Sequence, residues 1–286
     1  MESTVSSLGS KSVLLFLVLS YLHGCSFIVT QPSSQVYSDP KTIIHQDPTN
    51  IYIDINDHIQ LHGWSFQSKD PIATVIQFHG NAENISSHYL SLAWLLHHHY
   101  NLIIFDYPGY GQSTGPDKLS VVMKTAPEAL KKIIELIPGQ QPIFVYGQSL
   151  GTLVSVQALK DYSGRKMNGF ILEGAIYSLN QTAAYVMRQH WLTWMLQPFA
   201  MMSLPRRYNM KKNFKDVSDS IPILLLHSKK DPIVSYKQSE KIYKKNRTNK
   251  QMEFIRIDEK THINIGNIQN GKYRNDILSF LSQQTR

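Results

Sequence analysis

Cysteine is almost absent from this 286-residue chain: Cys25 stands alone, so no intrachain disulfide can form and the thiol must be explained by its position. There is no internal repeat, heptad run or low-complexity tract, which excludes solenoids, coiled coils and disordered scaffolds. No H-E-x-x-H metal motif, zinc finger or RNA-binding signature is present. Acidic residues are outnumbered, 21 against 29 basic ones, giving a formal net charge of +8. Without a basic-aromatic stripe, that excess reads as a solvated basic face, with anionic headgroups as an alternative partner. About half of the Lys and Arg fall between Arg206 and Lys260. What remains is an ordinary globular composition, 42% hydrophobic and 17% charged, long enough to bury one sizeable core.

The lone cysteine follows the segment KSVLLFLVLSYLHGC, a lysine and then about ten apolar residues, too few to cross a bilayer core. That layout predicts a signal peptide at 1–24. Leu22, His23, Gly24 and Cys25 resemble the lipobox of bacterial lipoproteins, which makes Cys25 the candidate lipidation site and implies an exported, membrane-anchored protein at the periplasmic face or outer membrane. An ordinary cleaved signal, with a secreted or periplasmic product, and an uncleaved signal anchor are the alternatives. Residues 25–49, polar and proline-bearing, read as a tether, and 50–286 as the folded domain.

From Asn50 the pattern predicts a hairpin turning at Asn56 and Asp57, followed by alternating strands and helices. The strands are the apolar runs ATVIQFHG, NLIIFDYPG, PIFVYG, GFILEGA, IPILLLHS and QMEFIRID. Helical periodicity covers ISSHYLSLAWLLHHH, Leu119 to Ile137, Leu150 to Leu159, YKQSEKIYKKN and Lys272 to Gln283. This series predicts an α/β fold with a mainly parallel sheet of about eight strands and helices on both faces. In such sheets chemistry collects at the carboxyl ends of the strands.

There, YGQSLG places Ser149 in a G-x-S-x-G turn between strand and helix. The two glycines permit a turn so sharp that the serine is pushed outward, at a helix N-terminus whose free N–H groups favour developing negative charge. A serine hydroxyl needs a histidine to take its proton and an acid to orient that histidine. Asp231 in HSKKDPIV and His262 in DEKTHINI occupy strand-end loops in the required order, with Glu173 as the alternative acid. The N–H of Asn81 in FHGNAEN, next to Gly80, is a candidate oxyanion donor together with that of Leu150. His79 reads as a side chain orienting that loop, and FDYPGYGQSTG as a structural loop beside the site. His97, His98 and His99 read as a helix end complementing the dipole rather than as metal ligands.

Taken together, FHGNAEN, FDYPGYGQS, YGQSLG, HSKKDPIV and the final KTH resemble the α/β-hydrolase family over about residues 50 to 286, most closely its small-cap branch of depalmitoylases, thioesterases and esterases. The resemblance implies a serine hydrolase of esters or thioesters that needs no cofactor and no metal. It assigns Ser149 as nucleophile, His262 as general base and acid, and Asp231 as the orienting acid. Amidase or peptidase activity on the same triad, and a catalytically silent binding protein, are the alternatives. An insertion at about 175–214 reads as a small helical cap. Its Trp191, Trp194, Met195 and Phe199 are candidate contacts for an acyl chain or a membrane, or else pack on the core.

Overall fold

The computed structural model describes residues 30–189, 198, 202, 204–210, 214–215, 217, 219, 221–246 and 251–285. Cys25 and the four cap candidates Trp191, Trp194, Met195 and Phe199 lie outside the described residues.

The described chain opens with a two-residue strand, β1 (Gln31–Pro32), and a short helix, α1 (Pro40–Ile44), capped by the side chain of Asp39. The hairpin β2 (Thr49–Asn56) and β3 (Ile59–Phe66) follows, with Asn56 paired to Ile59. The connecting residues are therefore Asp57 and His58, one position later than the pattern suggested. Then come β4 (Ala73–Phe78), the two-residue β5 (Ala82–Glu83), α2 (Ile85–His88), two 3-10 turns over Tyr89–Ser91 and Ala93–His98, and β6 (Tyr100–Phe105). The regular alternation continues through α3 (Leu119–Glu135), β7 (Ile143–Gln148), α4 (Leu150–Leu159), β8 (Gly169–Glu173) and α5 (Leu179–Arg188). It closes with β9 (Ile223–Ser228), α6 (Lys237–Lys245), β10 (Met252–Ile257) and α7 (Arg274–Gln283).

The stretch from Ile85 to His99, predicted as one helix, is broken because its carbonyls have other partners. Gln77 Nε2 and Ser91 Oγ both donate to the carbonyl of His88, at 3.0 and 2.8 Å, and Leu92 leaves helical geometry. Among the described residues no helix is long and apolar enough to cross a membrane.

Eight strands form one sheet in the order β10-β9-β8-β7-β4-β6-β3-β2, parallel except where β3 pairs with β2 and β6. Every residue of β4, β6, β7, β8 and β9 is buried, the expectation for parallel strands covered on both faces. Alternate residues feed two cores. Ile76, Phe78 and Val145 pack with α3, α4 and Ile242 of α6, whereas Val75, Phe144 and Tyr146 pack with Tyr89, Trp94 and the α7 residues Ile277 and Phe280. From β4 the chain goes to β6 on one side and then returns to β7 on the other. This reversal opens a crevice at the carboxyl ends of β4 and β7, where the loop after β4 lies beside the turn after β7.

Candidate active site

Ser149 sits at the β7–α4 turn with φ +52° and ψ −117°, a left-handed backbone that a residue with a Cβ adopts only under constraint, at a cost of about 1–3 kcal/mol. Several contacts impose it. Ser149 N–H donates to the carbonyl of Glu173 at 2.9 Å, anchoring the turn to β8. The glycines on either side are required by close approach: a Cβ on Gly151 would stand 2.0 Å from the carbonyl oxygen of Phe78, and one on Gly147 would stand 2.6 Å from Ser155 Oγ. The G-x-S-x-G spacing is therefore a packing requirement of strand, turn and helix.

Two loops deliver the partners of the serine. Nε2 of His262 lies 2.7 Å from Ser149 Oγ, and its Nδ1 lies 2.7 Å from Asp231 Oδ2. Asp231, in the loop after β9, is fixed by its other oxygen, which accepts the N–H groups of Ile233 at 2.7 Å and Val234 at 2.9 Å. Burial pushes this carboxyl up, but hydrogen bonds from His227 and His262, with the electrostatic pull of both rings, outweigh it and hold it at about 2. Asp231 is thus a carboxylate throughout the neutral range. It holds the proton of His262 on Nδ1 and leaves Nε2 free to accept from the serine. Gly174, at φ +61°, leaves room for the ring: a Cβ there would lie 3.1 Å from His262 Cε1.

Glu173, the alternative acid, is placed elsewhere. Its carboxylate accepts from Ile265 N–H at 2.6 Å, Gln148 Nε2 at 2.5 Å and Tyr146 Oη at 3.1 Å, behind the turn. Burial raises its pKa, and these three bonds act against the rise. It ties the histidine loop to β7 and β8 and makes no hydrogen bond to His262 among the described residues.

The loop after β4 brings Gly80 against the serine: a Cβ on Gly80 would lie 3.8 Å from Ser149 Cβ and 3.1 Å from His88 Cε1. The N–H groups of Asn81 and Leu150 have no acceptor among the described residues. Below this loop lies a buried polar cluster. His79 stacks on Tyr107 with ring centroids 4.1 Å apart, and its Nε2 is 3.7 Å from Asp106 Oδ1. Burial lowers the pKa of His79 well below the ordinary value, and the neighbouring His88 lowers it further. Burial also pushes the Asp106 carboxyl up to about 7, although it accepts the N–H groups of Ile85 and Gln112.

One participant carries no sequence signal beyond its spacing. His227, four residues before Asp231 in β9, is fully buried with Nε2 3.1 Å from Asp231 Oδ2 and 2.9 Å from the carbonyl of Val234. Both neighbours accept, so Nε2 carries the proton, and Nδ1 accepts from Ser239 Oγ at 2.6 Å. A histidine inside an apolar strand reads as core, and only the fold reveals its contact with the acid. Among the described residues no three His, Cys, Asp or Glu side chains are grouped as a metal site would require. His99 ends the second 3-10 turn with its Nδ1 on the carbonyl of Lys69 at 2.7 Å.

Comparison with known proteins identifies the fold and the family. The chain is 27% identical over 258 residues to the uncharacterized protein YfhR of Salmonella typhimurium, covering 87% of this chain and 85% of that one. It is also 27% identical over 189 residues to a lysophosphatidylserine lipase, ABHD12 of Danio rerio, covering 63% of this chain and 48% of the lipase. Among solved structures, the Pyrococcus furiosus esterase Pf2001 superposes with a TM-score of 0.72 at 22% identity, covering 89% of this chain and 98% of the esterase. An α/β-hydrolase from Vibrio vulnificus superposes with a TM-score of 0.69 at 16% identity, covering 98% and 95%. These likenesses show the α/β-hydrolase fold. A family model described as serine aminopeptidase, S33, matches residues 69–219, more than half of the chain, and the protein belongs to that family of α/β-hydrolases.

Proposed function

We propose that this hydrolase cleaves carboxylic esters or thioesters through an acyl-serine intermediate. The supporting observation is the continuous line from Ser149 Oγ through His262 to Asp231, with both links at 2.7 Å, set on a strained turn beside two N–H groups. Ser149 Oγ attacks the acyl carbon while His262 Nε2 takes its proton. Asp231 stabilises the imidazolium that forms, and the N–H groups of Leu150 and Asn81 receive the tetrahedral oxyanion. His262 then returns the proton to the departing alcohol or thiol. Water, deprotonated by the same Nε2, attacks the acyl-serine, and the imidazolium returns that proton to Ser149 Oγ as the acyl–oxygen bond breaks and the acid departs.

Substrate selection falls to the insertion at about 175–214. The aromatic and Met side chains at 191, 194, 195 and 199 suit an acyl chain, in keeping with the lipase and esterase among the similar proteins and with a small-cap, depalmitoylase-like branch. Cys25 as a lipidated residue would tether the exported enzyme to a membrane where such substrates are concentrated.

Peptide cleavage is the second reading, because the family description names an aminopeptidase. An aminopeptidase needs an anion for the substrate's terminal ammonium. Among the described residues, the three buried carboxyl groups around this site, Asp106, Glu173 and Asp231, are each already bound to N–H groups or histidines. That favours the ester.

The test is labelling of the full chain by a fluorophosphonate, against Ser149→Ala, followed by turnover of p-nitrophenyl esters of increasing length and of alanine p-nitroanilide. Labelling lost in the variant, with ester turnover exceeding anilide turnover, is the expected result. A folded wild-type protein that is not labelled overturns the serine mechanism and leaves a silent binding protein on this fold. Turnover dominated by the anilide would make it a peptidase.

A further inference from the structure

Four consecutive carbonyls after β4 are each held by a fixed donor. Tyr107 Oη donates to the carbonyl of His79 at 2.9 Å, and His79 Nδ1 to that of Gly80 at 2.8 Å. Tyr110 Oη donates to Asn81 at 2.8 Å and His88 Nε2 to Ala82 at 2.8 Å. In a planar trans peptide the C=O and the following N–H point in opposite directions. Pinning the Gly80 carbonyl therefore aims the Asn81 N–H, and pinning the Asn81 carbonyl stops that residue from rotating on its other side.

A second anchor on the Asn81 carbonyl arrives from fifty residues upstream. Gln31 N–H reaches the carbonyl of Asn81 at 3.3 Å and Tyr110 Oη at 3.2 Å, so the tyrosine hydroxyl accepts from the N-terminal segment and donates to the loop. Strand β1 runs parallel to β5, pairing Gln31 with Ala82 and Pro32 with Glu83. Glu83 has φ +64°, a strained backbone whose carbonyl accepts Ser33 N–H at 3.3 Å. Asn84 then clasps the segment: its Nδ2 donates to the carbonyls of Ser33 and Gln35 at 2.8 and 2.7 Å, while its Oδ1 caps α2 through Ser86 N–H. Gly111 N–H adds a bond to Ser33 at 3.0 Å, and Tyr37 N–H one to Ser86 Oγ at 2.9 Å. Thr30 is buried and Val36 exposed, so the contact is made by backbone and not by an apolar face.

We infer that residues 30–38 are a strap that completes the catalytic apparatus by fixing the Asn81 N–H, so that turnover requires the strap to be seated. The inference rests on the serine-hydrolase reading above. Gln31, Asn84 and Tyr110 are positioning residues: they act on the oxyanion donor and leave Ser149, His262 and Asp231 untouched. The strap is held by a two-residue ladder and a few polar bonds, a combination that opens locally at far lower cost than the buried sheet. An open strap removes the Gln31 N–H from both the Asn81 carbonyl and Tyr110 Oη, leaves that carbonyl on the tyrosine alone, and so loosens the residue whose N–H faces the developing oxyanion.

The experiment uses the full chain with three single substitutions. Gln31→Pro removes the N–H. Asn84→Asp keeps the oxygen that caps α2 but replaces the amide that holds the strap with an acceptor. Tyr110→Phe deletes the hydroxyl between strap and loop. Each is compared with wild type for kcat and KM on a p-nitrophenyl ester, for inhibition by a trifluoromethyl ketone that forms a tetrahedral adduct on serine, and for melting temperature.

The expected result is a kcat lowered about ten- to hundredfold, the scale of a misplaced oxyanion donor. KM should stay within about twofold and the ketone should bind correspondingly more weakly. The pH midpoint of kcat/KM should not move. Folded variants with wild-type kcat and ketone affinity would overturn the strap, as would a rise in KM alone or a shifted pH midpoint. If one variant fails to fold, the other two decide. A wild-type chain that neither turns over esters nor reacts with a fluorophosphonate overturns the hydrolase reading itself, a result distinct from active wild type with indifferent variants.

Discussion

His227 and His262 meet on one oxygen: Asp231 Oδ2 lies 3.1 Å from Nε2 of the first and 2.7 Å from Nδ1 of the second. The acid of the proposed triad is therefore oriented from inside the sheet as well as from the site. His227→Phe removes one of the two side-chain bonds that hold the carboxylate down, so its pKa rises from about 2 towards the ordinary carboxylate value. A carbon-13 NMR titration of Asp231 reads that rise directly. Steady-state kinetics should show kcat lower by about tenfold, with part of the loss restored by His227→Gln, whose amide N–H can point at the same oxygen.

The two candidate acids separate cleanly by substitution. Asp231→Asn puts an amide donor against the His262 Nδ1–H and favours the wrong tautomer, so kcat should fall about 10⁴-fold, with fluorophosphonate labelling slowed in step. Glu173→Gln keeps an acceptor for Ile265 N–H and leaves the triad intact, so labelling should stay within about tenfold of wild type. Equal losses in both variants would contradict the placement of Glu173 behind the turn.

Asp106 gives the pH dependence of stability a defined sign. Its carboxyl is raised by burial to about 7, so between about pH 4 and 7 the folded protein holds a proton that the unfolded chain releases. This contribution is fully present below pH 4 and is lost as pH rises through 7. In Asp106→Asn the dependence disappears. The stability difference between variant and wild type should therefore move in the variant's favour by about 3 kcal/mol from pH 5 to pH 8, at about 1.4 kcal/mol per unit over the two units below 7. Urea titrations at the two pH values measure it.

Most of the sheet is readable because buried parallel strands leave short, mainly apolar runs such as ATVIQF, PIFVY and ILLLHS. The positions of Ser149, Asp231 and His262 at strand ends were equally legible, since chemistry in such folds sits where the strands stop. Sequence could not separate Glu173 from Asp231. Both follow apolar strands, and only the three-dimensional path shows which one faces the histidine. Nor could it reveal the contact of residues 30–38 with the loop after β4. Their polar, proline-bearing composition reads as a tether, and two-residue backbone pairing carries no side-chain period. His227 escaped for the opposite reason, being hidden within a run whose apolar character explained itself. The predicted helix over Ile85 to His99 failed because Gln77, on a different element, donates to a carbonyl that the helix needed.

The seating of Gln31 against the loop after β4 also fixes where the chain enters the domain. The described chain therefore begins beside the crevice and not at the far end of the sheet. Four residues lie between Cys25 and Thr30, and the five steps along a fully extended chain reach at most about 18 Å. An acyl chain attached to Cys25 would therefore hold the mouth of the site within about that distance of the headgroups. Such a short leash would let the enzyme sample molecules still embedded in, or just leaving, the leaflet on which it is moored.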